Sequence, residues 1–294
     1  MNLEIEKWRS SGNYLTYNNH KVFYFQDGSG EDLLIIYGFP FNSFEWKDIL
    51  TELSKKYKVT IVDLLGIGFS DKPNNSEYNF EEYCKIINQL MIALKIRETH
   101  ILSHDLGTNV VQELIAIENL NSFKIKSSAF LNGCLFSDLY HSYFFGRFLS
   151  NSPTTIGKLL SRIISKKMIF NFFKSGSGPF TKPQEDYLEQ QWSILNYKNG
   201  KSITYLFSRM INERKKYSER WTKAMQSTSI PMCYICGPFD DISGASMAYL
   251  FEKIVPNSKA YLLNRYIGHQ PYLEDPENTL KMYYQFQNSL LVKN

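Results

Sequence analysis

Three features of the sequence predict an α/β architecture, a mostly parallel sheet with helices on both faces. Short continuous apolar runs such as Leu33-Leu34-Ile35-Ile36 have the character of strands buried on both sides. Longer stretches with helical spacing, such as Phe80 to Leu94, alternate with them, which is the rhythm of a parallel sheet covered by helices. The chain has 294 residues, 43% hydrophobic and 15% aromatic, enough to bury a large core.

Tyr14 to Gln26 alternates around the polar Asn18-Asn19-His20 and predicts a β-hairpin. Residues 27–32 form a turn-rich link to the strand Leu33–Ile36, which ends at Tyr37-Gly38-Phe39-Pro40. Phe44 to Lys55 has helical spacing, and Val59 to Asp63 is a strand leading into the glycine-bearing loop 65–73. The amphipathic helix Phe80 to Leu94 follows, then a strand from Thr99 to Ser103, a helix from Asn109 and a strand from Lys126 to Leu131. There the rhythm breaks. Residues 134–225 are aromatic, basic and largely helical, punctuated at Ser175-Gly176-Ser177-Gly178-Pro179. The rhythm resumes with strands at Ile230 to Cys236 and Lys259 to Leu263, a helix near Ser246 to Ile254 and a last helix from Thr279 to Leu290. Residues 1–133 and 226–294 are therefore expected to form one core domain. Residues 134–225 are expected to be a helical cap over the sheet's carboxyl edge, where open α/β sheets place their sites. The basic run Arg214-Lys215-Lys216 is expected on solvated helix surface.

Composition narrows the function. A net charge of +4, with no clustered basic stripe evident, does not argue for nucleic acid. The four cysteines (Cys84, Cys134, Cys233 and Cys236) are scattered, so no disulfide framework is expected. Cys233 and Cys236 spell C-x-x-C within a predicted strand, where positions three apart face opposite ways and do not form a metal or redox pair. Glu4, Glu6 and Lys7 stand where a signal peptide needs an apolar run, so none is expected in this stretch, and no apolar run reaches the ~18 residues of a membrane span. A soluble protein of a reducing, cytoplasmic compartment is expected, without metal or cofactor.

The sharpest local signal runs from Ile101 to Thr108. A strand turning abruptly into a helix presses its central residue into strained geometry, so the residues two places either side must be small. Ser103 and Gly107 meet that need around Asp105. Three other stretches fall where hydrolytic chemistry at such a corner requires them. Gly38-Phe39-Pro40 follows the first buried strand, placing the N–H of Phe39 with that of Leu106 as an oxyanion hole. Gly237-Pro238-Phe239-Asp240 follows a later strand and offers Asp240, or adjacent Asp241, to orient a histidine. Of His20, His100, His104, His141 and His269, only His269 lies in a loop after the last strand. Each piece alone has an ordinary reading: a helix-capping Asp, a turn, a surface acid, a solvated histidine. Their joint order, nucleophile then acid then histidine, is what carries weight.

On these residues the chain resembles α/β-hydrolases of the epoxide hydrolase and haloalkane dehalogenase branch, and within them the mesoderm-specific transcript group. The likeness runs through Trp8-Arg9-Ser10-Ser11-Gly12, Gly66-Ile67-Gly68-Phe69-Ser70-Asp71-Lys72-Pro73 and Leu102-Ser103-His104-Asp105. It continues through Ile211-Asn212-Glu213-Arg214-Lys215-Lys216 with Arg220-Trp221 and ends at Leu273-Glu274-Asp275-Pro276. It implies the α/β-hydrolase fold and small-molecule hydrolysis. Relatives in that group can carry an apolar N-terminal segment for the endoplasmic reticulum, so association with that membrane is the alternative to a soluble location. Two departures matter. Tyr37 stands where the family's His-Gly-x-Pro loop has histidine, which is expected to reshape the oxyanion loop without abolishing it. Leu106 and Phe39 stand where dehalogenases hold halide with Trp and often Asn, so both usual halide donors are missing.

The expected reaction is attack of Asp105 on an electrophilic carbon to form a protein ester, then hydrolysis by water that His269, oriented by Asp240, activates. Epoxide hydrolysis ranks first. An acid for ring opening is expected among cap tyrosines, of which Tyr140, Tyr143, Tyr187, Tyr197, Tyr205 and Tyr217 are candidates. Ester or lipid hydrolysis, with Asp105 or Ser103 participating, ranks next, and dehalogenation after it. A non-catalytic small-molecule-binding protein is the reading from another class. The expected partners are a small apolar substrate and water.

Overall fold

The computed structural model describes residues 2–74, 78–139 and 144–291. The apolar runs gather into one sheet of eight strands. β1 (Asn13–Tyr17) and β2 (His20–Asp27) form the hairpin, turning through Asn18 and Asn19 at φ 45° and 64°, a region asparagine tolerates. β3 (Glu31–Ile36), β4 (Tyr57–Val62), β5 (Glu98–His104), β6 (Lys124–Leu131), β7 (Met232–Cys236) and β8 (Lys259–Leu262) complete it in the order β1-β2-β4-β3-β5-β6-β7-β8. β2 meets β4 antiparallel, and every pair from β4 to β8 is parallel. Consecutive residues of β3, β5 and β7 are buried without alternation, because helices cover both faces.

The helices are α1 (Leu3–Ser11), α2 (Lys47–Leu53), α3 (Phe80–Leu94) and α4 (Leu106–Ala116) up to β6, with α10 (Ala245–Ile254), α11 (Pro271–Glu274) and α12 (Pro276–Leu291) beyond β7. α1 answers to no periodicity noted in the sequence. Asn2 caps it by accepting from the Ile5 amide, and Trp8 stacks on Phe25 at 4.2 Å. The single helix read from Phe44 to Lys55 is instead a 3-10 turn, Ser43–Trp46, leading into α2. That turn lets Ser43 donate its amide to the buried Asp63 at 2.9 Å.

Between β6 and β7 the chain leaves the sheet and forms α5 (Phe144–Asn151), α6 (Thr154–Ile163), α7 (Lys166–Gly176), α8 (Glu185–Leu195) and the 24-residue α9 (Thr204–Ser227). α9 is anchored on α4, the helix whose N-terminus carries Asp105. Glu113 of α4, 1% exposed, accepts from the indole N–H of Trp221 at 2.6 Å and pairs with Arg220. Phe80 packs edge-on against the same indole. Glu113→Ala leaves that buried N–H without its acceptor and is expected to cost about 1–3 kcal/mol. Arg220→Ala leaves the Glu113 carboxylate itself buried without its cation and is expected to cost at least as much. Urea unfolding of both variants checks the difference.

Candidate functional site

β5 runs straight into α4, and the chain turns at Asp105 with φ 50° and ψ −126°. A non-glycine residue adopts that conformation only where its surroundings impose it. The neighbours explain how it is held. A Cβ on Gly107 would lie 2.3 Å from the carbonyl oxygen of Ile36, and one on Gly38 2.0 Å from Asp105 Oδ1 and 2.5 Å from the Leu106 nitrogen. The backbone at Gly38 is thus pressed against the carboxylate, with the Phe39 residue next to it and the first amide of α4 alongside. Thr108 donates its amide and hydroxyl to the Asp105 carbonyl at 3.1 and 2.7 Å, which fixes the first turn of α4.

His269 comes from the loop after β8. Its Nε2 lies 3.4 Å from Asp105 Oδ2 and its Nδ1 2.7 Å from Asp240 Oδ2. Of the two acids the sequence left open, Asp240 is buried against His269 and Asp241 is exposed. Asp240 also accepts from Asn132 Nδ2 at 2.9 Å, from the Ile242 amide at 2.9 Å and from the Ser243 hydroxyl. Asn132 further bridges to both the amide and the carbonyl of Gly237, binding the end of β6 to the loop after β7. Neither Asn132 nor Ser243 stood out in the sequence, because Asn132 lies 108 positions from the carboxylate it holds and Ser243 reads only as a turn residue just after it. His104, beside the corner, donates from Nε2 to the backbone carbonyl of His269 at 2.9 Å. Ser103 turns away, its hydroxyl on the Ala129 carbonyl at 3.4 Å and outside the cavity wall.

The loop after β3 is braced from below. Tyr37 is fully buried, donates its hydroxyl to Asp63 and lies over Trp46. Asp63 also accepts from the amides of Ser43 and Phe69 at 2.9 and 2.6 Å. Tyr37 therefore supports the turn from beneath and takes no part in the cavity wall. Phe39 stacks flat on Phe207 of α9 at 4.2 Å, tying the loop to the inserted helices.

Asp105, Leu106, Phe39, Asp240 and His269 share one cavity of about 550 Å³, within the range of small-molecule sites. Apolar side chains from α7 and α9, among them Ile169, Phe172, Phe207 and Ile211, close it from above. Arg214 is the exception. Expected on solvated surface, it is instead 7% exposed and lines the cavity, whereas Lys215 and Lys216 do face solvent. A basic triplet in a helix cannot reveal by itself which member points inward, since neighbouring residues are rotated about 100° from one another and the packing sets which one faces in. The described tyrosines of the insertion are engaged elsewhere. Tyr187 donates to Glu45, Tyr217 donates to Glu81, Tyr197 contacts Arg9, and Tyr205 packs beneath the α6 glycine, Gly157. None of these lines the cavity; Tyr140, Tyr143 and His141 lie outside the described residues.

Burial and charge set the protonation states. Burial pushes the His269 imidazole down, but the carboxylates of Asp240 and Asp105 outweigh it and carry it up to about 10. Burial likewise pushes Asp105 up, and its hydrogen bond to His269 and the charges of His269 and Arg214 leave it below the ordinary range. Asp240 is depressed by the same imidazolium against its own burial. His104 goes the other way, down to about 3, because burial is reinforced by the charge of His269. The two neighbouring imidazoles thus divide into one charged and one neutral. Among the described residues no cluster of His, Cys, Asp and Glu could hold a metal, and all four cysteines are free and buried.

A parallel sheet, a strained acid at a strand-to-helix corner and an imidazole delivered from the far end of the chain define an α/β-hydrolase architecture. The chain belongs to the α/β hydrolase fold family, whose model matches residues 33–276. It is 34% identical over 301 aligned residues to the mesoderm-specific transcript protein of Mus musculus, covering 97% of this chain and 88% of that one. Among solved structures it is similar in fold to the epoxide hydrolase CorEH, with 15% identity, TM-score 0.77 and coverage of 95% and 99% of the two chains. It is equally similar to a point mutant of the haloalkane dehalogenase DatA from Agrobacterium tumefaciens, with 16% identity, TM-score 0.78 and coverage of 94% and 96%.

Two outcomes follow from this geometry. Gly38→Ala drives a methyl into the Asp105 carboxylate and is expected to displace it, lowering any activity of the site at least ~100-fold, with the fold retained by circular dichroism. The raised His269 contributes stability fully present below its ordinary value of 6.5 and lost as pH rises through about 10. Thermal melts are therefore expected to fall more steeply from neutral pH to pH ~10 in the wild type than in His269→Gln.

Proposed function

We propose that this protein is a hydrolase that opens a small apolar epoxide through a covalent ester on Asp105. One observation carries the reading: a single imidazole, His269, within reach of both a strained carboxylate and a second, buried one. Residues 134–225 act as the cap over a core made of 1–133 and 226–294, and the apolar wall supports a substrate of low polarity.

In the first step Asp105 Oδ forms a bond to the epoxide carbon as that carbon's bond to oxygen breaks. The alkoxide develops near the positive charge of Arg214, in the place for which the sequence suggested a tyrosine. Esterification removes the negative charge of Asp105, one of the two that keep His269 protonated, so the imidazolium releases a proton and the alkoxide gains one. Neutral His269, held by Asp240, then takes a proton from water, whose oxygen attacks the ester carbonyl. The amides of Phe39 and Leu106 hold the oxyanion, an effect typically worth about 2.7–4 kcal/mol per donor. Collapse frees the diol and restores the ion pair between Asp105 and His269. The balance is one epoxide and one water to one diol.

The lack of a tyrosine on the described cavity wall favours one second reading, an ester or lipid hydrolase, since a carbonyl substrate needs no acid for ring opening. The test is intact-mass measurement of His269→Gln incubated with a panel of epoxides and esters. An adduct of the epoxide's full mass on Asp105 is the expected result, absent in Asp105→Asn. Ester turnover by the wild type with no epoxide adduct moves the assignment to the second reading. Ligand binding with neither outcome identifies a binding protein on a hydrolase fold and overturns both.

A further inference from the structure

α6 is built inside out. A surface helix of a water-soluble protein turns its apolar stripe to the core, yet here the residues turned inward are the small Gly157 and Ser161. A Cβ on Gly157 would lie 2.8 Å from the Tyr205 ring, so α6 sits so close to α9 that no large side chain fits between them. Its large apolar residues face outward instead. Ile156, Leu159 and Ile163, spaced three and four apart on one face, are 45%, 60% and 62% exposed. Phe148 of α5 and Met168 of α7 are large apolar residues exposed as well. An apolar surface of this extent marks an interaction site.

The charge around the patch points to what covers it. Contrary to the expectation of no clustered basic stripe, residues 144 to 182 hold seven Lys and Arg and no Asp or Glu, while the rest of the chain is net acidic. Lys158, Arg162 and Lys167 are exposed and belong to no ion pair among the described residues. Large apolar side chains flanked by unpaired cations on a helix are the chemistry of a surface that enters the interface of an anionic bilayer. Met168, exposed on α7, also lines the cavity, as does Leu149 next to Phe148. No described helix is long and apolar enough to cross a membrane, so the contact is peripheral.

We propose that this face docks on an anionic lipid bilayer, Ile156, Leu159 and Ile163 entering the acyl boundary and Lys158, Arg162 and Lys167 meeting the headgroups. That the cavity then draws a lipophilic substrate from the bilayer rests on the hydrolase reading; the docking itself does not, and its test involves no turnover.

The test is flotation of the full chain with vesicles of phosphatidylcholine alone and with roughly a third phosphatidylserine. Binding to the anionic vesicles is expected, at least about tenfold weaker without phosphatidylserine and weakened by salt. The double variants Leu159→Ser with Ile163→Ser, and Lys158→Gln with Arg162→Gln, are each expected to lose about tenfold or more with unchanged melting temperature. No flotation with either vesicle, or equal binding by the variants, overturns the proposal. So does a dimer in light scattering that Leu159→Ser with Ile163→Ser dissolves while vesicles go unbound, since the occupant is then a second copy of the chain.

Discussion

A carboxylate held at a corner that its own backbone resists is the constraint from which the surrounding architecture follows. Asp105 sits at φ 50° because β5 and α4 must join with no room for a gradual turn. That join is possible only where Gly107 lets α4 approach the end of β3 and Gly38 lets the next loop press against the acid. The loop in turn needs a floor, supplied by Tyr37 and Trp46 over the buried Asp63. Strain at one residue is thus spread over three connections of the sheet, and none could relax without moving the others.

Electrostatics adds a second level of dependence. One buried imidazole between two carboxylates is held up as a cation at neutral pH, and a second imidazole packed beside it is held down as a neutral ring. The neutral His104 can then serve as a donor to the carbonyl of His269, holding the charged ring's loop in place. Asn132 and Ser243 do the corresponding work for Asp240. Under the proposed mechanism this arrangement has a direct consequence. The same carboxylate that attacks also sets the protonation of the base, so formation of the ester prepares the histidine for the step that follows.

Under the proposed bilayer docking the inserted helices face two environments. Toward the sheet they supply an apolar wall and one arginine; away from it they expose aliphatic side chains beside Lys158, Arg162 and Lys167, which belong to no ion pair among the described residues. Small residues along α6 make both faces available, since a helix that packs through Gly157 and Ser161 has its bulk left over for the outside. Met168 of α7 is both exposed and part of the cavity wall.

Much of this was legible in the chain itself. The strand rhythm, the place where it breaks and resumes, and the small residues flanking Asp105 are local properties, carried by period, residue size and turn chemistry. The order of Asp105, Asp240 and His269 along the chain was legible for the same reason. Whether they share one cavity was not. That depends on strand order, which places β5, β6, β7 and β8 side by side so that loops more than a hundred residues apart meet at one edge. Tertiary packing alone separated Asp240 from Asp241, turned Arg214 inward from between solvated neighbours, and sent the described tyrosines of the insertion elsewhere. Periodicity identifies a helix but leaves its rotation about its own axis to whatever it packs against, and in this protein that rotation decides which side chains reach the cavity.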